Sequence, residues 1–574
     1  MNKKNNLNIE KIFNLALQDH KENKFKSAEN TYKKILIKYP NHFNTLYLLG
    51  TLNFQIQKFN EARKNFEKAI SIKPNHAELC NNFGATLIEI GEYKSAINYL
   101  ENAINILPKY AEAYNNLGSA FKELKDYTKA IQFFEKAIKI QPNFIDSYIN
   151  LGIVFKELGN FNKAIFYFQE TIKAHPQNIK AHQNLMESYE NLNQEEELKK
   201  AILNAKKLIS DDPIIRLYEG IILYNVNKFL EAKNILEKIS FSAKDIKNES
   251  KRVLILGNCY DRIGDNKKAY NYFVEANNLF LNLRKVNLFD KNRYIKIIKD
   301  RENFFIKSNI KKWNKLKVPN EKRSPIFLVG FPRSGTTLLD TILRSHPLIE
   351  VVEEKPIINK LVDSLNKLSN KGLENLKTIN ETQAENLRKV YFDSLDSQIK
   401  NKNNSKIYID KLPLNIVYAG EIVRIFPNAK FIVLLRHPYD CVFSCFMQNF
   451  ELNDAMANFL NLEDAARLYD YVMGLWMQYL SILKINYCEV KYENIIKDFK
   501  PTVSSVLKFL NLSWDNSVVE YSTTAKERDN IATPSYNQVT KPLYSHASGR
   551  WKRYENQMSN IDPFLKKWLE KYNY

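Results

Sequence analysis

The sequence predicts an α-helical repeat array followed by an α/β domain with a parallel sheet. Two observations carry this prediction. Proline recurs every 34 residues in the first third of the chain, and an apolar run, a glycine-containing loop and a helical pattern follow one another at residues 325–347. The length of 574 residues also exceeds what one hydrophobic core usually supports, so more than one domain is expected.

We place the repeat array at residues 7–285, a basic helical bridge at residues 286–323 and the α/β domain at residues 324–574. The bridge is rich in lysine and arginine and loses the 34-residue period. It is interpreted as a helical connection that ends in a loop at Pro319, with one more degenerate repeat as the alternative.

The repeat period holds over four consecutive intervals. Ten residues after each of the first four prolines comes a glycine, then an alanine twelve residues later, then a large apolar residue four residues after that. Small residues let two helices cross closely, and proline ends the second helix of each pair. The repeating prolines are Pro40, Pro74, Pro108, Pro142 and Pro176.

This pattern resembles the tetratricopeptide repeat family, most clearly in NNLGSAFKELKDYTKAIQFFEKAIKIQP at residues 115–142. The resemblance implies a superhelix whose concave face binds a protein or peptide partner. The alternative is that the repeats only brace a neighbouring domain or dimerise, since a fold alone does not give a function. Tyr114, Asn115 and Asn116 are expected to be exposed on the array and fit either role.

Composition and charge narrow the functional classes. The formal net charge is +21, but the 85 basic residues are spread along the whole chain, so no dedicated nucleic-acid surface is expected. The five cysteines form no C-x-x-C pair, which argues against a disulfide framework and against a metal site. No stretch approaches the roughly 20 apolar residues that span a bilayer, so we expect no membrane span and a cytoplasmic location.

The α/β half begins with PIFLVGF at residues 325–331, which reads as a buried strand, and continues into a helical pattern at residues 336–347. A strand, a loop and a helix in this order bring backbone N–H groups and a helix N-terminus to one point, which predicts an anion site. The apolar runs 406–410 and 430–435 predict further parallel strands. Helices are predicted after them, at residues 414–426 and 438–450.

The loop LVGFPRSGTT at residues 328–337 resembles a phosphate-binding loop but has Thr336 where ATP-binding and GTP-binding loops carry lysine. That lysine contacts the β- and γ-phosphates, so its absence disfavours a kinase or an NTPase. The remaining residues suit a single terminal 5′-phosphate or phosphosulfate. They are Arg333, Ser334, Gly335, Thr336 and Thr337.

Two segments, FPRSGTTLL at residues 331–339 and LLRHPYDCVFS at residues 434–444, resemble the nucleotide-binding motifs of sulfotransferases that use 3′-phosphoadenosine 5′-phosphosulfate, or PAPS. The protein-tyrosine sulfotransferase branch is the most similar, and the resemblance covers roughly residues 324–555. It implies PAPS as co-substrate and a hydroxyl-bearing acceptor. Protein tyrosine is the acceptor class that this branch suggests, and carbohydrate, lipid-linked glycan and small metabolites stay open.

The resemblance also implies roles in catalysis. By spacing from the loop, the general base falls on Glu354, with Glu353 as the alternative if the register slips by one residue. Lys411 would stabilise the leaving phosphate, and Ser535 would assist at the transferring group. The branch carries an arginine where this chain has Pro356, which weakens any inference about an acceptor peptide.

Further positions are implied for cofactor binding. Arg436 and Ser444 would hold the 3′-phosphate, and Tyr492 would lie near the adenine. Lys541 and Arg550 would contact phosphates from a C-terminal segment. Relatives often have a further arginine where this chain has Gln448.

Other reactive side chains are interpreted as structural. His346 and His437 each precede a proline, which favours capping or packing over a catalytic role. Cys441 and Cys445 are predicted to be core residues. Two other functional classes stay open: a scaffold whose α/β domain binds nucleotide without turnover, and an atypical kinase.

Overall fold

The computed structural model describes residues 2–243, 245–281, 289–314, 316, 323–369, 371–399, 403, 406–527 and 548–574. The chain divides into two compact units, Met1–Ile215 and Arg216–Tyr574. The first is built from helices, and the second contains further helices and a five-stranded sheet.

The first unit is a series of antiparallel helix pairs. Its helices are α1 Asn2–Lys21, α2 Phe25–Lys38, α3 Phe43–Gln55, α4 Phe59–Ile72, α5 Ala77–Glu89, α6 Tyr93–Ile106, α7 Ala111–Glu123, α8 Tyr127–Ile140, α9 Ile145–Glu157, α10 Phe161–Ala174, α11 Ile179–Asn191 and α12 Glu195–Leu208. Helix α13, Pro213–Asn225, crosses the boundary into the second unit.

Close packing explains the repeated glycines and large apolar residues. Gly118 lies against the ring of Phe134, which is fully buried, and a Cβ atom on Gly118 would lie 2.7 Å from Cε1 of that ring. Gly50 and Gly84 meet the corresponding residues of their own repeats in the same way. The predicted helical repeat solenoid is therefore confirmed, and its period follows from this helix crossing.

The expected exposure of Tyr114 and Asn115 was wrong. Tyr114 is 4% exposed and Asn115 is 8% exposed. The Asn115 amide oxygen accepts hydrogen bonds from Asn150 at 2.9 Å and from Ser147 at 3.1 Å. These side chains therefore tie one repeat to the next, a pairing between distant residues that one repeat alone does not show.

The second unit holds a parallel sheet with the strand order β2-β3-β1-β4-β5. The strands are β1 Ile326–Gly330, β2 Ile349–Glu353, β3 Ile407–Lys411, β4 Lys430–Leu435 and β5 Asn486–Lys491. The predicted parallel sheet is confirmed, and all the strands end at the same edge, where ligands bind in open α/β sheets.

The second unit also contains helices. They are α14 Phe229–Leu236, α15 Ile246–Ile263, α16 Asn266–Leu281, α17 Lys291–Phe304, α18 Lys307–Ile310, α19 Thr336–Arg344, α20 Ile357–Lys367, α21 Asn375–Thr378, α22 Glu381–Asp396, α23 Ala419–Ile425, α24 Pro438–Phe446, α25 Leu462–Ile482, α26 Tyr492–Lys497, α27 Phe499–Phe509 and α28 Tyr521–Glu527, followed by Glu555–Met558 and Asp562–Tyr572. The predicted helix at 414–426 is split into a 3₁₀ helix, Pro413–Tyr418, and α23.

A buried ion pair fixes helix α17, in the basic bridge, to the α/β part of the second unit. Arg301 and Glu421 are 5% and 0% exposed, and Nη2 of Arg301 lies 2.6 Å from Oε1 of Glu421. Burial raises the pKa of Glu421, and the guanidinium of Arg301 counters that effect. Removing either partner would leave a buried charge without its counter-ion, so the pair holds the bridge in place.

Among the described residues, no helix combines the length and the apolar composition that a membrane crossing needs.

We expect Gly118→Ala to lower the free energy of unfolding by about 1–3 kcal/mol, because the new methyl group overpacks the fully buried ring of Phe134. Urea unfolding followed by circular dichroism measures the effect. Gly474→Ala in α25 is the matched control, since no heavy atom lies within 4 Å of the added Cβ. Adding Phe134→Leu should restore part of the loss, and unchanged stability of Gly118→Ala would contradict the packing argument.

Candidate functional site

The loop after β1 has a backbone that only glycine can adopt easily at two positions. Gly330 has φ of 155° and Gly335 has φ of 102°. A Cβ on Gly330 would lie 2.5 Å from the Leu434 carbonyl oxygen, and one on Gly335 would lie 2.5 Å from the Tyr492 ring. The loop therefore lies directly against β4 and the start of α26, with no room for side chains at these points.

Three predicted loop residues are buried at the N-terminus of α19. Ser334, Thr336 and Thr337 are 1%, 4% and 6% exposed. Oγ of Ser334 is buried and has no hydrogen-bond partner among the described residues. A buried hydroxyl without a partner is costly, so this atom fits an oxygen-rich ligand such as a phosphate or a sulfate.

Arg333 connects the loop to the second predicted anion position. Its backbone is left-handed, with φ of 66°, and its Nε donates to Oγ of Ser444 at 3.1 Å. Nη1 of Arg436 donates to the carbonyl oxygen of Arg333 at 3.0 Å. The structure therefore brings the predicted 5′-phosphosulfate and 3′-phosphate residues into one hydrogen-bonded cluster.

Arg436 is enclosed by its neighbours. Its guanidinium lies 4.9 Å from the centre of the Tyr492 ring. Burial is the largest single influence and opposes the charge, but Asp440 and other neighbouring groups together outweigh it, and the pKa of Arg436 is raised. The guanidinium therefore stays charged, as an anion site requires.

The two cysteines of α24 support the same loop. Both are fully buried, as predicted, and the thiols of Cys441 and Cys445 donate to the carbonyl oxygen of Pro332 at 3.1 and 3.3 Å. Burial raises the pKa of Cys441 to about 12, so it stays a thiol donor. Their role goes beyond packing, since Pro332 directly precedes Arg333.

A second cluster lies at the ends of β2 and β3. Lys411 is completely buried, and its ammonium lies 3.0 Å from Oε1 of Glu353 and 2.9 Å from Oε1 of Glu354. Burial alone would lower the pKa of Lys411, but the carboxylates of Glu353, Glu354 and Asp340 together outweigh it and the pKa is raised. The ammonium therefore stays charged, and both candidate bases contact it.

The two carboxylates differ in backbone and exposure. Glu353 is the last residue of β2 and pairs with Lys411 across the sheet. Glu354 follows in a left-handed conformation, with φ of 50°, and its N–H donates to the Lys411 carbonyl oxygen at 2.7 Å. The Glu354 side chain is 32% exposed against 11% for Glu353, so Glu354 is the more accessible to an acceptor.

Arg550 has a different partner from the one the resemblance implied. Its Nη2 lies 2.7 Å from Oδ2 of Asp261, which is 1% exposed. Tyr554 donates to the same carboxylate at 2.6 Å. A phosphate contact from Arg550 would require it to leave this carboxylate, so that assignment stays a prediction. Ser535 and Lys541 lie outside the described residues.

Asp440 was missed by the sequence analysis and holds the chain near Arg436. It is 2% exposed and accepts from the backbone N–H groups of Gly549 at 2.6 Å and Trp551 at 3.0 Å. The sequence did contain a sign of this position, because an aspartate shortly after Pro438 is typical of the first turn of a helix.

The two histidines have structural environments. Nδ1 of His346 accepts from the N–H of Leu348 at 3.2 Å. The ring of His437 stacks on Trp551 at 5.1 Å between centroids, and burial lowers the pKa of His437. Among the described residues, no group of histidine, cysteine, aspartate or glutamate could hold a metal ion.

Family models match both parts of the chain. Residues 325–516 match the model of the sulfotransferase family. Residues 43–76, 111–144 and 133–166 match tetratricopeptide repeat models, and residues 84–125 match a further repeat model. The chain thus carries tetratricopeptide repeats followed by a sulfotransferase family domain, as the sequence analysis predicted.

The relatives are distant. An uncharacterised protein of Aquifex aeolicus is 28% identical over 254 residues, which are 43% of this chain and 33% of the relative. Protein-tyrosine sulfotransferase 2 of Gallus gallus is 23% identical over 237 residues, which are 39% of this chain and 62% of the relative. The matched region therefore spans between one third and two thirds of these two relatives.

Asp410, next to Lys411, gives a pH test of the site's structure. It is fully buried, burial raises its pKa to about 8, and its oxygens lie 3.5 Å from the Tyr391 hydroxyl and the Asn415 amide nitrogen. The folded state therefore keeps a proton that the unfolded state loses above about pH 4. The contribution of Asp410 to the free energy of unfolding therefore falls as the pH rises from about 4 to about 8.

We expect Asp410→Asn to remove this dependence, so the variant gains stability relative to the wild type as the pH rises. The slope of the difference should approach about 1.4 kcal/mol per pH unit within that window. Urea unfolding at several pH values measures it. The exposed Asp393→Asn in α22 is the control and should follow the wild-type profile. A pH-independent difference for Asp410→Asn would contradict a protonated Asp410.

Proposed function

We propose that the sulfotransferase family domain transfers a sulfuryl group from PAPS to a hydroxyl acceptor. The observation that carries this proposal is the joining of two anion-binding motifs by Arg333, Ser444 and Arg436, beside the Lys411 cluster at the same sheet edge. Two separate phosphate positions match a nucleotide with 5′- and 3′-anionic groups. A loop without the lysine of ATP-binding enzymes supports the same choice.

The reaction needs little covalent chemistry from the protein. The acceptor oxygen attacks sulfur in line, its proton passes to a carboxylate, and the bond from sulfur to the bridging phosphate oxygen breaks. The products are the sulfated acceptor and adenosine 3′,5′-bisphosphate. We assign the base to Glu354, because it is the more exposed of the two carboxylates on Lys411.

Lys411 supplies a fixed positive charge. Its ammonium has no access to solvent and is oriented by both carboxylates, so it needs no reorganisation when negative charge develops on the leaving phosphate. Arg333 and Arg436 would balance the charges of the nucleotide. Protein tyrosine is our proposed acceptor class, because the relatives include protein-tyrosine sulfotransferases. The repeat array would bind the acceptor protein or its partner.

Calorimetric titration of adenosine 3′,5′-bisphosphate tests the donor site. We expect tight binding by the wild type and an affinity about tenfold to a hundredfold lower in Arg333→Ala and in Arg436→Ala, since each removes charged hydrogen bonds. Arg467→Ala, which removes an exposed arginine of α25, should bind like the wild type. A folded wild type that binds ATP more tightly than the bisphosphate would refute the donor assignment.

Steady-state rates with labelled PAPS and a small phenol test the base. Glu354→Gln should lower kcat by about a hundredfold or more, because the glutamine amide cannot take the proton from the substrate hydroxyl. Affinity for adenosine 3′,5′-bisphosphate should stay unchanged, since the substitution keeps the volume of the side chain. Glu353→Gln is the matched comparison and should retain most activity. If Glu353→Gln lowers kcat more than Glu354→Gln does, the base is Glu353. If both variants stay active, neither glutamate is the base.

A further inference from the structure

Two buried thiols of α24 donate to one carbonyl oxygen in the loop after β1. Cys441 and Cys445 are 0% exposed, and their Sγ atoms lie 3.1 and 3.3 Å from the carbonyl oxygen of Pro332. Residues four positions apart lie on one face of a helix, so both thiols reach the loop from the same side. A carbonyl oxygen has two lone pairs, and the two thiols supply one donor for each.

Burial keeps both thiols protonated. It raises the pKa of Cys441 to about 12, against the opposing effect of the guanidinium groups of Arg436 and Arg333. It also raises the pKa of Cys445. Only a protonated thiol can donate a hydrogen bond, so both contacts with the Pro332 carbonyl oxygen persist at neutral pH.

Residues 331–334 form a β-turn whose type depends on the peptide plane between Pro332 and Arg333. The N–H of Ser334 donates to the carbonyl oxygen of Phe331 at 3.1 Å, which closes the turn. Arg333, the third residue of the turn, has φ of 66°, as a type II turn requires. Type I and type II turns differ by a rotation of roughly 150–170° about the bonds that flank this central peptide. The two turn types therefore point the Arg333 N–H to opposite sides.

The residues of the turn favour the other type. Proline at the second position fits both types, but type II usually has glycine or asparagine at the third position, where φ is positive. An arginine there is disfavoured by its Cβ atom and adopts the type I turn more readily. The two thiols oppose this preference, because they hold the Pro332 carbonyl oxygen on the α24 side of the loop. The peptide bond is trans, so its C=O and N–H bonds are antiparallel and the Arg333 N–H points away from α24.

We propose that Cys441 and Cys445 are positioning residues for the 5′ anionic group of the nucleotide, because they hold the turn in its type II form and so direct the Arg333 N–H to that group. The inference rests on the proposed function and adds two residues to its donor site. The neighbouring Ser334 hydroxyl, which is buried and has no hydrogen-bond partner among the described residues, supports an anion at this part of the loop. Without the thiols, the turn relaxes toward type I, and the Pro332 carbonyl oxygen replaces the N–H beside the anion.

Alanine and serine variants of the two cysteines test the proposal, because these side chains have nearly the same volume and only serine keeps a donor. Calorimetric titration gives Kd for adenosine 3′,5′-bisphosphate and for adenosine 3′-monophosphate, which lacks the 5′ group. The preference for the bisphosphate, taken as the ratio of the two Kd values, measures the contribution of the 5′ group. We expect this preference to fall about tenfold in Cys441→Ala/Cys445→Ala, since hydrogen bonds to a charged group are strong, and by less than about threefold in Cys441→Ser/Cys445→Ser.

Cys80→Ala is the matched control. Its thiol is also buried and donates to a proline carbonyl oxygen, that of Pro74 at 3.5 Å, but it lies in the first unit. This variant should keep the wild-type preference. If the double alanine variant does not fold, the single variants Cys441→Ala and Cys445→Ala each leave one thiol on the Pro332 carbonyl oxygen, and each should lower the preference about threefold.

The outcomes separate this inference from the proposed function. A loss of affinity by the same factor for both nucleotides would show a general structural effect and overturn the inference. An unchanged preference in the alanine variants, or an equal loss in the double serine variant, would overturn it as well.

A wild type that binds neither nucleotide would refute the donor assignment of the proposed function. The rise of Tm in sodium sulfate over sodium chloride at equal ionic strength then decides the inference, since sulfate probes the anion position without a nucleotide. A rise that Cys441→Ala/Cys445→Ala loses and Cys441→Ser/Cys445→Ser keeps would support the role of the thiols. Equal rises in all the variants would overturn it.

Discussion

The buried charge of Lys411 is the constraint on which the rest of the site depends. An ammonium with no solvent access is stable only when carboxylates balance it and accept its hydrogen bonds. The parallel register places Glu353 directly opposite Lys411, and the left-handed turn at Glu354 brings the second carboxylate to the same atom. The strand register, the left-handed backbone at Glu354 and the charge of Lys411 together place both carboxylates on the ammonium. A change in one of them would disturb the other two.

The loop after β1 is held in place by hydrogen bonds to its backbone carbonyl oxygens. Arg333 and Arg436 are close together, and the second donates to the backbone carbonyl oxygen of the first. The Pro332 carbonyl is held at the same time by two thiols of α24. Helix α24 therefore positions the loop from behind, and the buried Ser334 hydroxyl, which has no hydrogen-bond partner among the described residues, suits an anion.

The sequence predicted the elements whose signals are local. β4 was expected at residues 430–435 and has those bounds, because a short continuous apolar run is typical of a central parallel strand. β2 was missed, since its five residues include two glutamates and it lies at the edge of the sheet. The candidate base was placed in this segment from the sequence, but the two glutamates concealed that the segment is a strand.

Contacts between distant residues could not be predicted in the same way. Asp261 lies in α15, within the predicted repeat array, and its partners Arg550 and Tyr554 are almost 300 residues away. No periodic pattern encodes such a pair, and a basic residue near a nucleotide motif is easily assigned to a phosphate. The same limit applies to Asn115, whose partners belong to the next repeat.

Helices α15 and α16 belong to the second unit, and α16 contacts its α/β part directly. Asn277 of α16 donates to the Phe446 carbonyl oxygen at 3.0 Å, at the end of the helix that carries Ser444. The carboxylate of Asp261 is buried and would lack counter-ions without the C-terminal segment. This helix pair therefore belongs to the structure that holds α24, and α24 holds the loop. Helices α15 and α16 therefore support the loop of the candidate anion site through α24.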